Sequence, residues 1–400
     1  MDPDRRTVQP GDLRIEGEKF GGVVPPGTCT GEFLDARDTF LIPGLIDAHV
    51  HGWGNPSPRT HKGRDDDDEV DRAGVLARVL RAGVMATVDL AGSDERLALR
   101  DSLRASPDHA ALFVASTFYA APATETSATE AALRARVRTR VARRPDLIKI
   151  IAAGGPVAPI VDEAKRQGLA TVVHIGEWQH ARQAIAAGAA AITHFEDEAT
   201  IPDDLAAAWA AAKVVSIPTM AVQCDVHTLV AQPALLDDPL LIAMTRPGLR
   251  AAYRDRSGWS DKARHWAQWQ KAGCEPHDFP TLRRLHAAGE KVLAGSDPGN
   301  LGTFQGFSLH RELELMAKAG LPPWDVLRAA TTEAAAFLRI PWGFQPGAPA
   351  NFVLLRASPI PSLRNTRAIA QVIYRGRSLF PGAGTKGGKR SIAPMSGAEK

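Results

Sequence analysis

Five side chains in this sequence are of types that bind a divalent ion, and each falls at the carboxyl end of a short apolar run. His49 and His51 alternate in LIPGLIDAHVHGWG, His174 ends TVVHIG, His194 ends AITHF, and Asp297 follows in VLAGSDPG. A β-strand repeats its side-chain direction every second residue, so both imidazoles of the HxH pair point to one side. An HxH pair alone is a weak signal, because exposed strands carry it too. Its recurrence with two further histidines and an aspartate at strand ends is specific, and four neutral imidazoles with one carboxylate suit Zn²⁺ or a similar borderline ion. A sixth residue joins them. Lys149 lies in DLIKIIAAGG between Ile148 and Ile150, where an unpaired ammonium is costly. Either a buried salt bridge accommodates it, or CO₂ carbamylates the neutral amine and turns it into a carboxylate able to bridge two ions.

Such residues need a frame that brings strand ends together. From about Leu45 to Pro298 apolar runs alternate with Ala/Leu/Arg-rich helical stretches, the pattern of parallel strands with crossover helices. Eight strands are predicted: Leu45–His51, Val84–Leu90, Ala111–Phe118, Leu147–Ala152, Ala170–His174, Ala190–His194, Lys213–Thr219 and Lys291–Ser296. In LRAGVMATVDL, KRQGLATVVHIG, AIAAGAAAITHF and LHAAGEKVLAGSD a glycine stands where a helix stops and a strand begins, as a left-handed helix terminus requires. A doubly wound sheet tolerates this pattern, but the reading adopted is an α/β fold of the (β/α)₈ TIM-barrel type, whose sites form at the carboxyl ends of the strands. The flanks carry short β-like pieces (LRIEG, EFLDA, NFVLL, AQVIYRG) between Gly/Pro turns, predicting a small β-sandwich domain built from both termini, residues 1–44 and 346–382. The barrel then spans 45–345. An insertion at about 224–288, with the aromatic-rich SGWSDKARHWAQWQ, is expected to cover its mouth, and 383–400 read as a disordered tail.

Composition excludes several classes. With 400 residues, 44% hydrophobic and 23% charged, the chain is globular, and its net charge of +3 offers no field for nucleic acid or an anionic membrane. The arginines from Arg134 to Arg144 read as a solvated helix surface, and Asp65 to Glu69 as carboxylates at a helix start, without Ca²⁺-loop spacing. Cys29, Cys224 and Cys274 form no CxxC pair and predict neither a disulfide framework nor a thiolate zinc site. No run is long enough to span a bilayer, and the opening MDPDRRTVQPGD lacks the apolar stretch of a signal peptide. A cytoplasmic location is the expectation, with an export signal upstream of this sequence left open as the alternative.

Taken together, PGLIDAHVH, His174, His194, Asp297 and the closing GFSLHRELELMAKAGLPPWDVLRAATTEAAAFL resemble the amidohydrolase superfamily over Leu13 to about Phe380. IKIIAAGG followed by DEAKRQGLATVVHIG is most similar to its prolidase-like and Xaa-Arg dipeptidase branch. That resemblance implies a carboxylated Lys149 bridging two divalent ions, Zn²⁺ in the first instance, with His49, His51 and Asp297 on the more buried ion and His174 and His194 on the other.

Departures accompany the resemblance. The branch's Gly-Gly-His after the third strand is STFYAAPATETS here, its His-Ala-His-Gly is HIGEWQH, its Glu-His-Gly is THFED, and its Ala-Asp near the end is Ala350-Asn351. Metal positions are kept while substrate positions differ. The expectation is a metal-dependent hydrolase that cleaves an amide-like bond in a dipeptide, an N-acyl amino acid or a related small carbonyl compound by means of a metal-activated hydroxide, with Asp297 moving the proton. His227 is the candidate for a substrate carboxylate or carbonyl contact. The expected partner is a small molecule, with no nucleic acid and no membrane, and a homo-oligomer is left open. Two alternatives stand beside this reading: a mononuclear deaminase of the same superfamily, which would use a glutamate such as Glu177, and a non-catalytic binding or assembly homologue.

Overall fold

A computed structural model describes residues 1–28, 34–51, 54–60, 71–120, 129–196 and 198–379. The expected tail, Cys29 and the Asp65 to Glu69 run lie outside the described residues. Near the amino end, β1 (Asp12–Glu16) and β2 (Lys19–Val24) form an antiparallel hairpin, followed by β3 (Phe40–Pro43). Seven parallel strands come next: β4 (Leu45–Val50), β5 (Val84–Asp89), β6 (Ala111–Ala120), β7 (Leu147–Ala152), β8 (Thr171–His174), β9 (Ala191–Thr193) and β10 (Val215–Ile217). Their order in space is their order in sequence. β4 and β5 are buried along their whole length, as strands covered by helices outside and by packed side chains inside must be.

The predicted eighth strand, Lys291–Ser296, is present as an extended segment rather than a regular strand. Ser216 N–H donates to the Lys291 carbonyl and Leu293 N–H to that of Ser216, so the segment pairs with β10. On its other side Ala48 N–H donates to Ala294 and Asp297 N–H to His49, which closes the ring onto β4. The ladder is broken there by a side chain: Ser296 N–H donates to the Asp47 carboxylate at 2.9 Å instead of to a carbonyl. A (β/α)₈ barrel results, with Phe279–Ala287 following the β10 strand as the seventh outer helix and Phe307–Lys318 as the eighth. The four glycines at the predicted helix-to-strand junctions, Gly83, Gly168, Gly188 and Gly289, all have φ between 70° and 85°.

β11 (Phe352–Leu355), β12 (Ile369–Tyr374) and β13 (Arg377–Leu379) join β3 in a four-stranded antiparallel sheet of order β13-β12-β11-β3, so both flanks contribute to it. A separate apolar cluster of Phe20, Ala350, Phe352, Leu354, Ala370 and Ile373 lies beneath it. Of the predicted flank piece EFLDA, Leu34 to Ala36 are irregular, and Glu32 and Phe33 lie outside the described residues.

The segment inserted between β10 and its outer helix starts before Cys224. Helix Met220–Ala231 already begins at the end of β10, and Cys224 lies within it. The inserted segments fold over the loops that follow β4 and the eighth segment: Tyr253 Oη donates to the Pro56 carbonyl and accepts from Gly302 N–H, and Ser260 N–H donates to Pro58. Contrary to the cysteine spacing, Cys224 and Cys274 form a disulfide. Fifty residues separate them in sequence, and only the packing of helix Asp261–Gly273 against Met220–Ala231 makes them neighbours: Gln270 bonds both Val222 O and His227 N–H across that interface. The arginine run lies on helix Glu130–Val141, where Arg134 pairs with Glu130 and Asp162 and Arg138 with Glu163, a surface already neutralised by carboxylates.

Candidate metal centre

The five expected ligands converge at the carboxyl ends of the barrel strands. β4 carries His49 and delivers His51 just beyond its end, with ring centroids 4.7 Å apart and the two Nε2 atoms 3.1 Å apart. β8 ends in His174 and β9 hands over to His194, whose ring lies 4.4 Å from that of His174 and 5.0 Å from that of His49. Asp297 closes the group. Its Oδ1 is 3.6 Å from His49 Nε2 and 3.5 Å from His51 Nε2, and its Oδ2 is 3.9 Å from His194 Nε2. Among the described residues, the ligand atoms of His49, His194 and Asp297 lie within 4.8 Å of one another.

Burial decides the protonation states. It pushes the imidazoles of His49, His51 and His194 well below their usual range and that of His174 to about 3, with the Lys149 ammonium acting in the same direction on all four. The rings are therefore neutral and present lone pairs. Burial also drives the Asp297 carboxyl well up, against the pull of Lys149, and Lys149 down, against the pull of Asp297. Lys149 is 1% exposed, and its Nζ has no hydrogen-bond partner among the described residues; nor does Asp297 Oδ1. Unpaired polar atoms this deep are rare because each forfeits its hydration without replacement. A divalent ion set among them would satisfy them, so the residues present fit one.

Neighbouring polar groups hold the ligands in place. His49 Nδ1 is 2.7 Å from Thr193 Oγ1, and His194 Nδ1 is 2.6 Å from Thr219 Oγ1. The Asp47 carboxylate accepts from Ser296 N–H, Ser296 Oγ and His49 N–H, tying the HxH strand to the segment that carries Asp297. Buried Asp89, at the end of β5, accepts from Arg96, whose charge reaches His51. His194, Thr219 and Asp297 all have positive φ, at 70°, 54° and 50°. For residues with a Cβ that conformation is costly, and it recurs where a site dictates the backbone.

Sequence reasoning named none of these supporting groups. Asp47 was accessible to it, since the alternation that aligns His49 with His51 also aligns Asp47. The threonines gave no such signal. His227 is not brought to the centre. It lines a separate cavity of about 790 Å³ with Cys224, Gln270, Arg311 and Arg364, and none of the five converging ligands borders that space. Glu177 is exposed at the start of helix Trp178–Ala187.

Comparison with known proteins agrees with this geometry. The sequence profile of the amidohydrolase family matches residues 40–379. No curated protein matches the sequence. Among solved structures, the chain is similar to a Xaa-Pro dipeptidase with methionine bound in its active site, at 20% identity and a TM-score of 0.73, covering 96% of this chain and 98% of that one. It is also similar to molinate hydrolase, at 17% identity, a TM-score of 0.69 and coverage of 95% and 92%. A prolidase complexed with N-methylphosphonate-L-proline gives 20% identity, a TM-score of 0.67 and coverage of 92% and 94%.

Proposed function

Because the chain belongs to the amidohydrolase family, a family of metal-dependent hydrolases of amide-like bonds, we propose that it works with two divalent ions, Zn²⁺ in the first instance, on a small dipeptide or N-acyl amino acid. His49, His51 and Asp297 would hold one ion, His174 and His194 the other, and Lys149, carbamylated at Nζ, would bridge them. The observation that carries this reading is the buried Lys149 amine, unpartnered and within the electrostatic reach of all four imidazoles. As a neutral amine it can attack CO₂, forming an N–C bond and releasing one proton to leave an anionic carbamate. The exposed Glu177 does not favour the deaminase alternative.

Ions bound there would supply Lewis acidity, polarising a carbonyl and bringing the pKa of a water toward neutrality. The chain contributes the proton path. Oδ1 of Asp297 is turned toward His49 and His51, which leaves Oδ2 to take a proton and deliver it to the leaving amine. The buried surroundings that raise this carboxyl suit it to both halves of that task. The insertion folded over the first and eighth loops restricts access to small substrates.

The test combines metal analysis with a hydrolysis screen of dipeptides, N-acyl amino acids, esters and lactones. About two ions per chain are expected for the wild type, and Lys149→Ala should lose at least one ion and most of the activity. A fully active Lys149→Ala protein with unchanged metal content would sink the bridging role.

A further inference from the structure

We infer that the Thr219 hydroxyl sets the tautomer of His194 before any ion arrives, which makes Thr219 a positioning residue of this centre. A hydroxyl has one proton to give. At Thr219 that proton goes to the Pro218 carbonyl, 2.7 Å away, so toward His194 Nδ1, at 2.6 Å, the oxygen can only accept. His194 must then carry its proton on Nδ1, and the lone pair on Nε2 faces Asp297. Both residues are buried, so solvent offers neither an alternative partner. At His49 the same is not dictated: the Thr193 hydroxyl bonds its Nδ1 but makes no second hydrogen bond among the described residues, and so can serve in either direction.

Two observations argue that the hydroxyl is there for His194. Threonine is a common helix N-cap, and Thr219 stands at the N-cap position of Met220–Ala231, yet its side chain makes no capping bond. The Ala221 N–H is taken instead by the Glu312 carboxylate at 2.7 Å. Thr219 also has φ 54°, a conformation that glycine or asparagine would adopt at lower cost than a β-branched residue. What those residues lack is the hydroxyl in this place.

The affinity arm of the test rests on the metal reading above; the tautomer arm does not. In metal-free protein labelled with ¹⁵N-histidine, and with the His194 signals assigned by a His194→Asn variant, long-range ¹⁵N–¹H spectra should show His194 as the Nδ1–H tautomer. Thr219→Ser should keep that pattern, and Thr219→Val, equally β-branched but without the hydroxyl, should lose it. In chelator competition, Thr219→Val should bind Zn²⁺ about 10- to 100-fold more weakly, while Thr219→Ser stays close to wild type. An Nε2–H tautomer in the wild type, or a folded Thr219→Val protein with unchanged tautomer and Zn²⁺ affinity, would overturn the inference. If Thr219→Val does not fold, the wild-type tautomer decides the matter. A wild type that binds no Zn²⁺ but shows the Nδ1–H tautomer would remove the metal reading and support this one.

Discussion

Glu312 offers a perturbation whose size follows from its surroundings. It lies in helix Phe307–Lys318 with no exposed surface; Oε2 accepts from Ala221 N–H, and Oε1 has no hydrogen-bond partner among the described residues. Burial pushes its carboxyl up to about 8, opposed by the Ala221 and Met220 N–H groups and reinforced by Asp47 and Asp225. In the unfolded chain it ionises near its usual value of 4.5. Between those pH values the folded state holds a proton that the unfolded state has released. The contribution of Glu312 to stability is therefore fullest below pH 4.5 and is lost as pH rises toward 8. Each pH unit in that window corresponds to about 1.4 kcal/mol, so the accumulated loss approaches about 5 kcal/mol. Glu312→Gln keeps a carbonyl for Ala221 N–H and cannot ionise. Wild type and variant should be similarly stable at pH 5, and the variant should gain progressively up to pH 8, with no further divergence at pH 9. Equilibrium urea unfolding of both proteins, prepared metal-free at constant ionic strength, measures this without interference from ligand binding. Stabilities that stay parallel within about 0.5 kcal/mol across the range would refute the reasoning.

Asp297→Asn should lower turnover by about 10²- to 10⁴-fold and reduce ion content while leaving the circular dichroism spectrum unchanged. Asparagine tolerates φ 50° as well as aspartate does, and Asn300 and Thr303 hold this turn through the backbone carbonyl of residue 297, which the substitution keeps. Normal turnover in that variant would reduce Asp297 to a turn residue. Gly295→Ala should weaken Zn²⁺ binding and lower the Tm by several degrees, because an added Cβ would come within 2.8 Å of His49 Cβ and 2.7 Å of Ile217 Cγ2 and displace the HxH strand. Chelator competition and calorimetry check both effects, and wild-type values would show that the barrel wall yields there at no cost.

The parts of this protein legible in its sequence are those written in local periodicity. Glycine junctions and fully apolar runs located the barrel strands, and HxH with three more strand-end side chains pointed to residues that the fold brings together, because each signal is complete within a few residues. The parts that escaped depend on which distant segments become neighbours. The Cys224–Cys274 bond needs two helices to pack side by side. The eighth segment lost its regular ladder to Asp47, a side chain about 250 residues away. Thr219 looks like a helix cap until Glu312 is seen to occupy that role. His227, chosen for its distance from a strand end, sits on a helix that carries it to another cavity.

One joint in the fold sets an order of events during synthesis. Among the described residues β3 pairs only with β11, Phe40 to Pro43 lying against Phe352 to Leu355, and Gly44 alone separates β3 from the strand that bears His49. Gly44 itself is held by Asn351 and by the Trp342 indole. As the ribosome works from the amino end, the root of the HxH strand can pair with β5 early, but β3 waits for its partner until some 310 further residues have emerged, an open edge that other chains could join. Nascent chains stalled short of residue 352 should therefore be the ones that engage chaperones. A chain circularly permuted to start in the loop before β11 would bring the two strands closer in sequence and shorten that exposure.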